Sequence, residues 1–382
     1  MINHQIFRER LGQLVASPSV SCTSPDLDMS NMQVVELLAS WLSELSFNVE
    51  LLPVQGYPGK ANMIATLGQG NNGLVLSGHT DTVPCNPERW QQDPFSLCDK
   101  DNRFYGLGAT DMKGFFPTVL GALEGIDLKK IQKPLVILAT ADEESSMSGA
   151  RALSQSHASL GRYAVIGEPT GLKPIRMHKG IMMEAVRIQG LAAHSSNPEL
   201  GHNALEAMHK VLDVLVNFRK TIQTQYSHAG FQISVPTLNL GCIHGGDNPN
   251  RICGSCELQF DLRPVPGMHL DNLHDEINRL LAPLSEQTGT SIQLERLFGG
   301  VPAYEEPANS ELVTTAERLS GFHSESVAFA TEAPFLQAMG MQTIVMGPGS
   351  IDQAHQPNEY IEQSQIEPAI KILRNLIQTL CC

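Results

Sequence analysis

Basic residues are scarce in this chain. Its 26 lysines and arginines face 40 aspartates and glutamates, for a formal net charge of −14 over 382 residues. That balance repels a phosphate backbone, and no basic run or stripe of basic and aromatic residues offsets it, so nucleic acid is excluded as a partner. Long apolar runs are absent as well; none approaches the ~18 residues that a membrane helix needs. Met1 to Arg10 has neither the apolar core nor the small-residue cleavage site of a leader, so the expectation is a soluble, cytoplasmic protein without a membrane partner. Eight cysteines at irregular spacing make no disulfide framework and fit reduced thiols. Cys253 and Cys256 form an isolated C-x-x-C on an expected strand, residues 251–262, where residues three apart point to opposite faces; the pair is a poor chelate. Phosphate-binding loops are missing too: Gly106-x-Gly108 lacks a third glycine, and Gly245-Gly246 has no following Lys-Ser/Thr. Nucleotide binding is therefore excluded.

What is present is an ordinary globular composition, 42% hydrophobic and 17% charged, in a chain long enough for two domains. In the first half, Val35, Leu38, Leu42 and Leu45 have the spacing of an amphipathic helix. Three short apolar runs, residues 74–76, 135–139 and 163–166, read as buried strands, each ending in polar residues. Buried strands separated by helices predict an α/β fold with a doubly wound, mostly parallel sheet, in which ligands gather beyond the strand C-termini. Asp111 follows a Gly-rich turn and opens an expected helix over residues 112–123. Near residue 181 the pattern changes to strands at 183–189, 237–242, 256–262 and 291–297 around a helix at 204–216, the mark of a smaller α+β domain. Core strands at 326–330 and 343–346 and a helix ending at Leu380 then resume the first domain, so the second is an insertion.

Five residues of metal-binding type sit at these strand and turn ends: His79, Asp111, Glu144, Glu168 and His355. Zinc takes imidazole nitrogen and carboxylate oxygen, and two ions with an open position each want about six protein contacts. Two histidines and three carboxylates supply six if one carboxylate bridges ions ~3.5–4 Å apart. In His79-Thr80-Asp81 the carboxylate is placed to steady the far nitrogen of the ring. In Asp142-Glu143-Glu144, adjacent carboxylates at a strand end call for a compensating cation. With Glu144 as a ligand, Glu143 points elsewhere and can take a proton from the attacking water and give it to a leaving nitrogen.

Taken in order, residues 77–84 (Ser-Gly-His-Thr-Asp-Thr-Val-Pro), 108–114 (Gly-Ala-Thr-Asp-Met-Lys-Gly), Asp142-Glu143-Glu144 and Gly167-Glu168-Pro169-Thr170 resemble the two-zinc aminoacylase and carboxypeptidase family. The resemblance implies that His79 and Glu168 hold one zinc, Glu144 and His355 the other, and that Asp111 bridges. Asp81 orients His79, and Glu143 is the base. It implies a catalytic domain of residues 1–180 and 298–382 with residues 181–297 as an inserted lid through which two chains form a homodimer. Ala193-His194-Ser195-Ser196 resembles the family's histidine motif, whose ring reaches the partner's site and stabilises an oxyanion. Stretches at 137–140, 244–246, 250–251, 331–335 and 354–357 are similar to the branch that removes acetate from N2-acetyl-ornithine to release ornithine for arginine synthesis.

On that substrate, Arg251 beside Asn250 is expected to pair with the α-carboxylate, since a guanidinium fork fits it in two contacts. Glu332 is expected to meet the side-chain ammonium, its bland alternative being an ordinary surface acid. Imidazole and carboxylate sites accept cobalt in place of zinc, and the resemblance adds glutathione as an accessory factor. Two enzyme readings compete, a succinyl-diaminopimelate desuccinylase and a broad N-acyl-amino-acid deacylase. A metal-stabilised scaffold is the rival of another kind, disfavoured by an intact Glu143.

Overall fold

The computed structural model describes residues 4–156 and 159–382; residues 1–3 of the N-terminal segment lie outside that range. The chain divides into two compact units, one of residues 1–176, 306–325 and 331–382, the other of residues 177–305 and 326–330. The breaks lie at 176/177 and 305/306, against expected boundaries of 180/181 and 297/298.

In the first unit, six strands run in the order Asn48–Pro53, Ala61–Leu67, Leu135–Thr140, Leu74–His79, Tyr163–Pro169 and Gln342–Gly347. The last four are mutually parallel, while the first two join antiparallel at one side. Leu135–Thr140 and Leu74–His79 are buried along their whole length, the condition of parallel strands covered on both faces. The helices His4–Val15, Met32–Glu44, Phe115–Leu123 and Gln363–Cys381 bury apolar stripes such as Leu38 and Leu42, or Ile366, Ile370, Leu373 and Ile377, in one core with Leu76, Ile137 and Val165. This is a mixed α/β fold around a mostly parallel sheet.

The second unit carries a four-stranded antiparallel sheet in the order Thr237–Gly245, Ser255–Arg263, Met182–Gln189 and Ser291–Arg296. Burial alternates along Ser255–Arg263, as a strand with one dry face requires. Helices Ala204–Gln225 and Leu270–Thr288 cover the dry face, through Val211, Leu215, Phe218, Ile277 and Leu281.

Three local expectations change. The helix expected from residue 112 begins at Phe115, because the preceding turn is closed by Lys113 N–H donating to the Gly108 carbonyl. Residues 326–330 are not a core strand: the strand is Glu325–Val327, exposed to half-buried, and residues 326–330 go with the second unit. Cys253 precedes the strand Ser255–Arg263, so Cys253 and Cys256 do not share it; both are buried and free.

Candidate metal centre

The C-terminal ends of the four parallel strands deliver the acidic and imidazole side chains. His79 ends its strand, Glu168 lies near the end of the next, and Glu143 and Glu144 follow Thr140 in a turn. His355 comes after Gln342–Gly347, with a positive φ of 60°. Close packing holds this end together. A methyl group on Gly167, beside Glu168, would lie 2.1 Å from the Phe115 ring, so only glycine lets the strand pass that helix start.

Two triads bring ligand atoms within 4.8 Å of one another: His79, Glu143 and Glu168, and His79, Asp111 and Glu144. Asp111 stands between the histidines. Its Oδ1 is 3.0 Å from His79 Nε2, and its Oδ2 is 3.5 Å from His355 Nε2. His355 Nε2 also lies 2.9 Å from Glu144 Oε2, and His79 Nε2 lies 3.8 Å from Glu168 Oε1. All five residues expected as ligands therefore converge, and Glu143, expected as a base, lies among them.

The electrostatics of the bare cluster are those of too many acids in too little water. Burial and the neighbouring Glu168 push Glu143 well above the usual carboxylate range. Burial and Asp111 do the same to Glu168 and raise Glu144 to about 7. Burial works against charging His79, but its hydrogen bond to Asp111 and the nearby Glu168 lift it well above an ordinary histidine. The Glu144 hydrogen bond raises His355 to about 9. Glu144 Oε1 is buried without a hydrogen-bond partner. Hard carboxylate oxygens and imidazole nitrogens, crowded together, buried except at the exposed His355 and in part unpartnered, fit divalent metal ions.

Surrounding residues set this geometry. His79 Nδ1 faces the main-chain carbonyl of Asp81 at 3.0 Å, while the Asp81 carboxylate stays 3.7 Å away. The tautomer is thus fixed by a peptide oxygen, which leaves Nε2 turned toward Asp111. The expected orienting role passes from the side chain of Asp81 to its main chain. Its carboxylate instead accepts the N–H of Glu144 at 3.0 Å, securing the acidic turn.

Glu359 had no sequence signal. It is buried and accepts the N–H groups of Gly108, Thr110 and Asp111 at 2.8, 2.8 and 3.0 Å, tying down the loop that carries Asp111. Glu332 is no surface acid: it is buried, accepts the Thr140 hydroxyl at 2.8 Å, is raised to about 7 by burial, and keeps Oε1 unpartnered.

The remaining expected residues lie in the second unit and group together. The segments around His194 and Arg251 run side by side: Ser195 N–H donates to Asn250 O at 3.0 Å, and Ile252 N–H to Ala193 O at 2.9 Å. His194 is exposed, and its Nδ1 accepts the Ser196 N–H at 3.2 Å and lies 2.7 Å from the Ser196 hydroxyl. A neutral ring held this way carries its proton on Nε2. Arg251 pairs with Asp247 at 2.5 Å.

The model of the peptidase family M20/M25/M40 matches residues 75–379. Among solved structures, a tripeptidase from Staphylococcus aureus is similar at 18% identity over 100% of this chain and 99% of that one, with a TM-score of 0.77. The M20 family metallo-carboxypeptidase Sso-CP2 from Sulfolobus solfataricus aligns at 17% identity over 97% and 98% of the two chains, with a TM-score of 0.74. The YXEP protein of Bacillus subtilis, described as a dinuclear metal binding peptidase, aligns at 13% identity over 98% and 99%, with a TM-score of 0.67. At these identities the solved structures speak for the fold.

Proposed function

The chain belongs to the peptidase family M20/M25/M40, and from that membership we propose that it is a two-metal hydrolase that removes acetate from N2-acetyl-ornithine. The observation that carries the metal part is Asp111, which offers one oxygen toward each histidine. On this reading His79 and Glu168 hold one ion, Glu144 and His355 the other, and Asp111 both. The ions, zinc or cobalt, supply Lewis acidity and lower the pKa of water toward neutrality.

Glu143 then has the acid and base work. Its carboxyl lies within ligand range of His79 and Glu168, so it reaches a water at the site, takes its proton as the oxygen attacks the acyl carbonyl, and returns it to the departing amine. His194 of a second copy donates from Nε2 to the oxyanion, and its hydrogen bonds to Ser196 support that role by keeping Nδ1 the acceptor. Arg251 and Asn250 meet the α-carboxylate. The unpartnered oxygen of Glu332 supports a cationic substrate end.

A second reading is hydrolysis of short peptides, favoured by the similarity to the tripeptidase. A single assay separates the two: metal-depleted protein restored with zinc or cobalt, with and without glutathione, is offered N2-acetyl-ornithine, N-succinyl-diaminopimelate, other N-acyl amino acids, dipeptides and tripeptides. Preference for N2-acetyl-ornithine by kcat/KM is expected. Faster turnover of the peptides or of the succinyl compound overturns the substrate assignment.

A further inference from the structure

The turn that carries Glu143 is built on a residue that neither binds metal nor faces substrate in the proposed mechanism. Asp142 adopts a left-handed conformation, φ 57°, which is unfavourable for a residue with a side chain and is borne best, glycine aside, by Asp and Asn. The conformation turns the chain at once after Leu135–Thr140, and the Asp142 carbonyl closes the turn by accepting the N–H groups of Ser146 and Met147 at 3.1 and 2.6 Å.

The side chain is held from three sides. Lys60 Nζ lies 2.7 Å from Asp142 Oδ1, Ser21 donates to the same oxygen at 3.0 Å, and Ser148 donates to Oδ2 at 3.1 Å. Lys60 and Asp142 are 3% and 2% exposed. A buried ion pair returns little net stability, because desolvation offsets its attraction, and its best-attested use is to fix one geometry among several. Here the geometry fixed is the direction of the next residue. Asp81 secures the other side of the same turn through Glu144 N–H. Glu143 itself has no side-chain hydrogen bond among those described, so its aim comes from the main chain on either side.

We propose that Asp142, clamped by Lys60, is the positioning residue for Glu143. The inference rests on Glu143 being the base. It makes three elements far apart in sequence, Ser21, Lys60 and Asp142, into one support for the acid and base chemistry.

The test is a double-mutant cycle on the full-length, metal-loaded protein with N2-acetyl-ornithine, or with the best acyl amino acid of the panel. Asp142→Asn keeps the left-handed conformation accessible and removes the charge. Since small misplacements of a reacting group cost up to about 10²-fold, kcat is expected to fall about tenfold to a hundredfold, with KM and metal content within about twofold. Lys60→Met behaves alike, and Lys60→Arg regains most of kcat. In a Glu143→Gln background, Asp142→Asn costs less than about twofold, because its effect passes through a group already lost. An equal loss in both backgrounds, or unchanged kcat in Asp142→Asn and Lys60→Met, overturns the proposal while leaving Glu143 as base. A loss below about tenfold in Glu143→Gln alone removes the base reading and the proposal with it. Should Lys60→Met not fold, Asp142→Asn and Lys60→Arg suffice for the cycle.

Discussion

Glu359 Oε1 accepts the main-chain N–H of Asp111 at 3.0 Å, and its two oxygens together take three N–H groups of the loop from Gly108 to Asp111. The acid between the two histidines is therefore positioned by another acid, whose own pKa is raised to about 8 by burial and by Asp111. Glu359→Gln keeps the shape but turns an NH2 group toward an N–H donor. Supporting groups of this kind typically change metal affinity by 10–100-fold, and a loss of about that size is expected in chelator competition. Unchanged affinity would remove Glu359 from the support of the site.

Metal removal and pH are linked with a definite sign. Burial and neighbouring carboxylates raise Glu144 to about 7, the hydrogen bond to Glu144 raises His355 to about 9, and Glu143, Glu168 and His79 are raised as well. Each folded pKa lies above its unfolded value, so each contributes stability that is complete below the unfolded pKa and is lost as pH rises through the folded one. The Tm of chelator-treated protein is expected to fall from pH 6 to pH 9, and metal affinity to rise, with protons released on binding. Titration calorimetry in buffers of different ionisation enthalpy reads the release directly; proton uptake would contradict the ligand set.

Glu143→Gln removes the proposed proton carrier without touching the proposed ligands. A fall of about 10²–10⁴ in kcat is expected, with KM and metal content close to wild type. Lost metal instead would make Glu143 a ligand, as its place in the triad with His79 and Glu168 also allows.

His194→Ala is expected to lower kcat by about 10²–10³, the cost of one oxyanion donor. If that ring serves the partner's site, His194→Ala and Glu143→Gln chains, each inactive alone, should complement on mixing. About a quarter of wild-type activity returns at full exchange, since half the dimers are mixed and one site in two is whole. No recovery in mixtures shown to exchange subunits would place the donor within its own chain or discard it.

Gly167→Ala puts a methyl group 2.1 Å from the Phe115 ring. Overpacking of this sort costs about 1–3 kcal/mol, and a lower urea midpoint with reduced metal retention is expected, because the displaced strand carries Glu168. Normal stability and metal content would mean that the ring yields freely.

The α/β class and the gathering of His79, Asp111, Glu144, Glu168 and His355 were readable because apolar runs announce buried strands and polar residues at their ends announce a site. Glu359 was not: a carboxylate that accepts three main-chain N–H groups looks in sequence like any surface acid. The contact of His79 with the main chain of Asp81 was hidden in the same way, since a peptide carbonyl leaves no trace in the side-chain pattern, and so was the burial of Glu332, which depends on the packing of the helix Ala333–Ala338. The helix start at Phe115 shifted because turn bonds around Gly108, set by tertiary partners, outweighed local propensity.

The four strands that frame the site are not consecutive: Gln342–Gly347 joins Tyr163–Pro169 only after the whole second unit has been threaded between them. During synthesis, then, His79, Asp111, Glu144 and Glu168 emerge long before His355, and an acidic half-site must wait through nearly 190 residues for its last imidazole. A ribosome-bound chain halted before residue 342 should hold metal loosely at best, so that tight loading becomes a late checkpoint on completion of the fold.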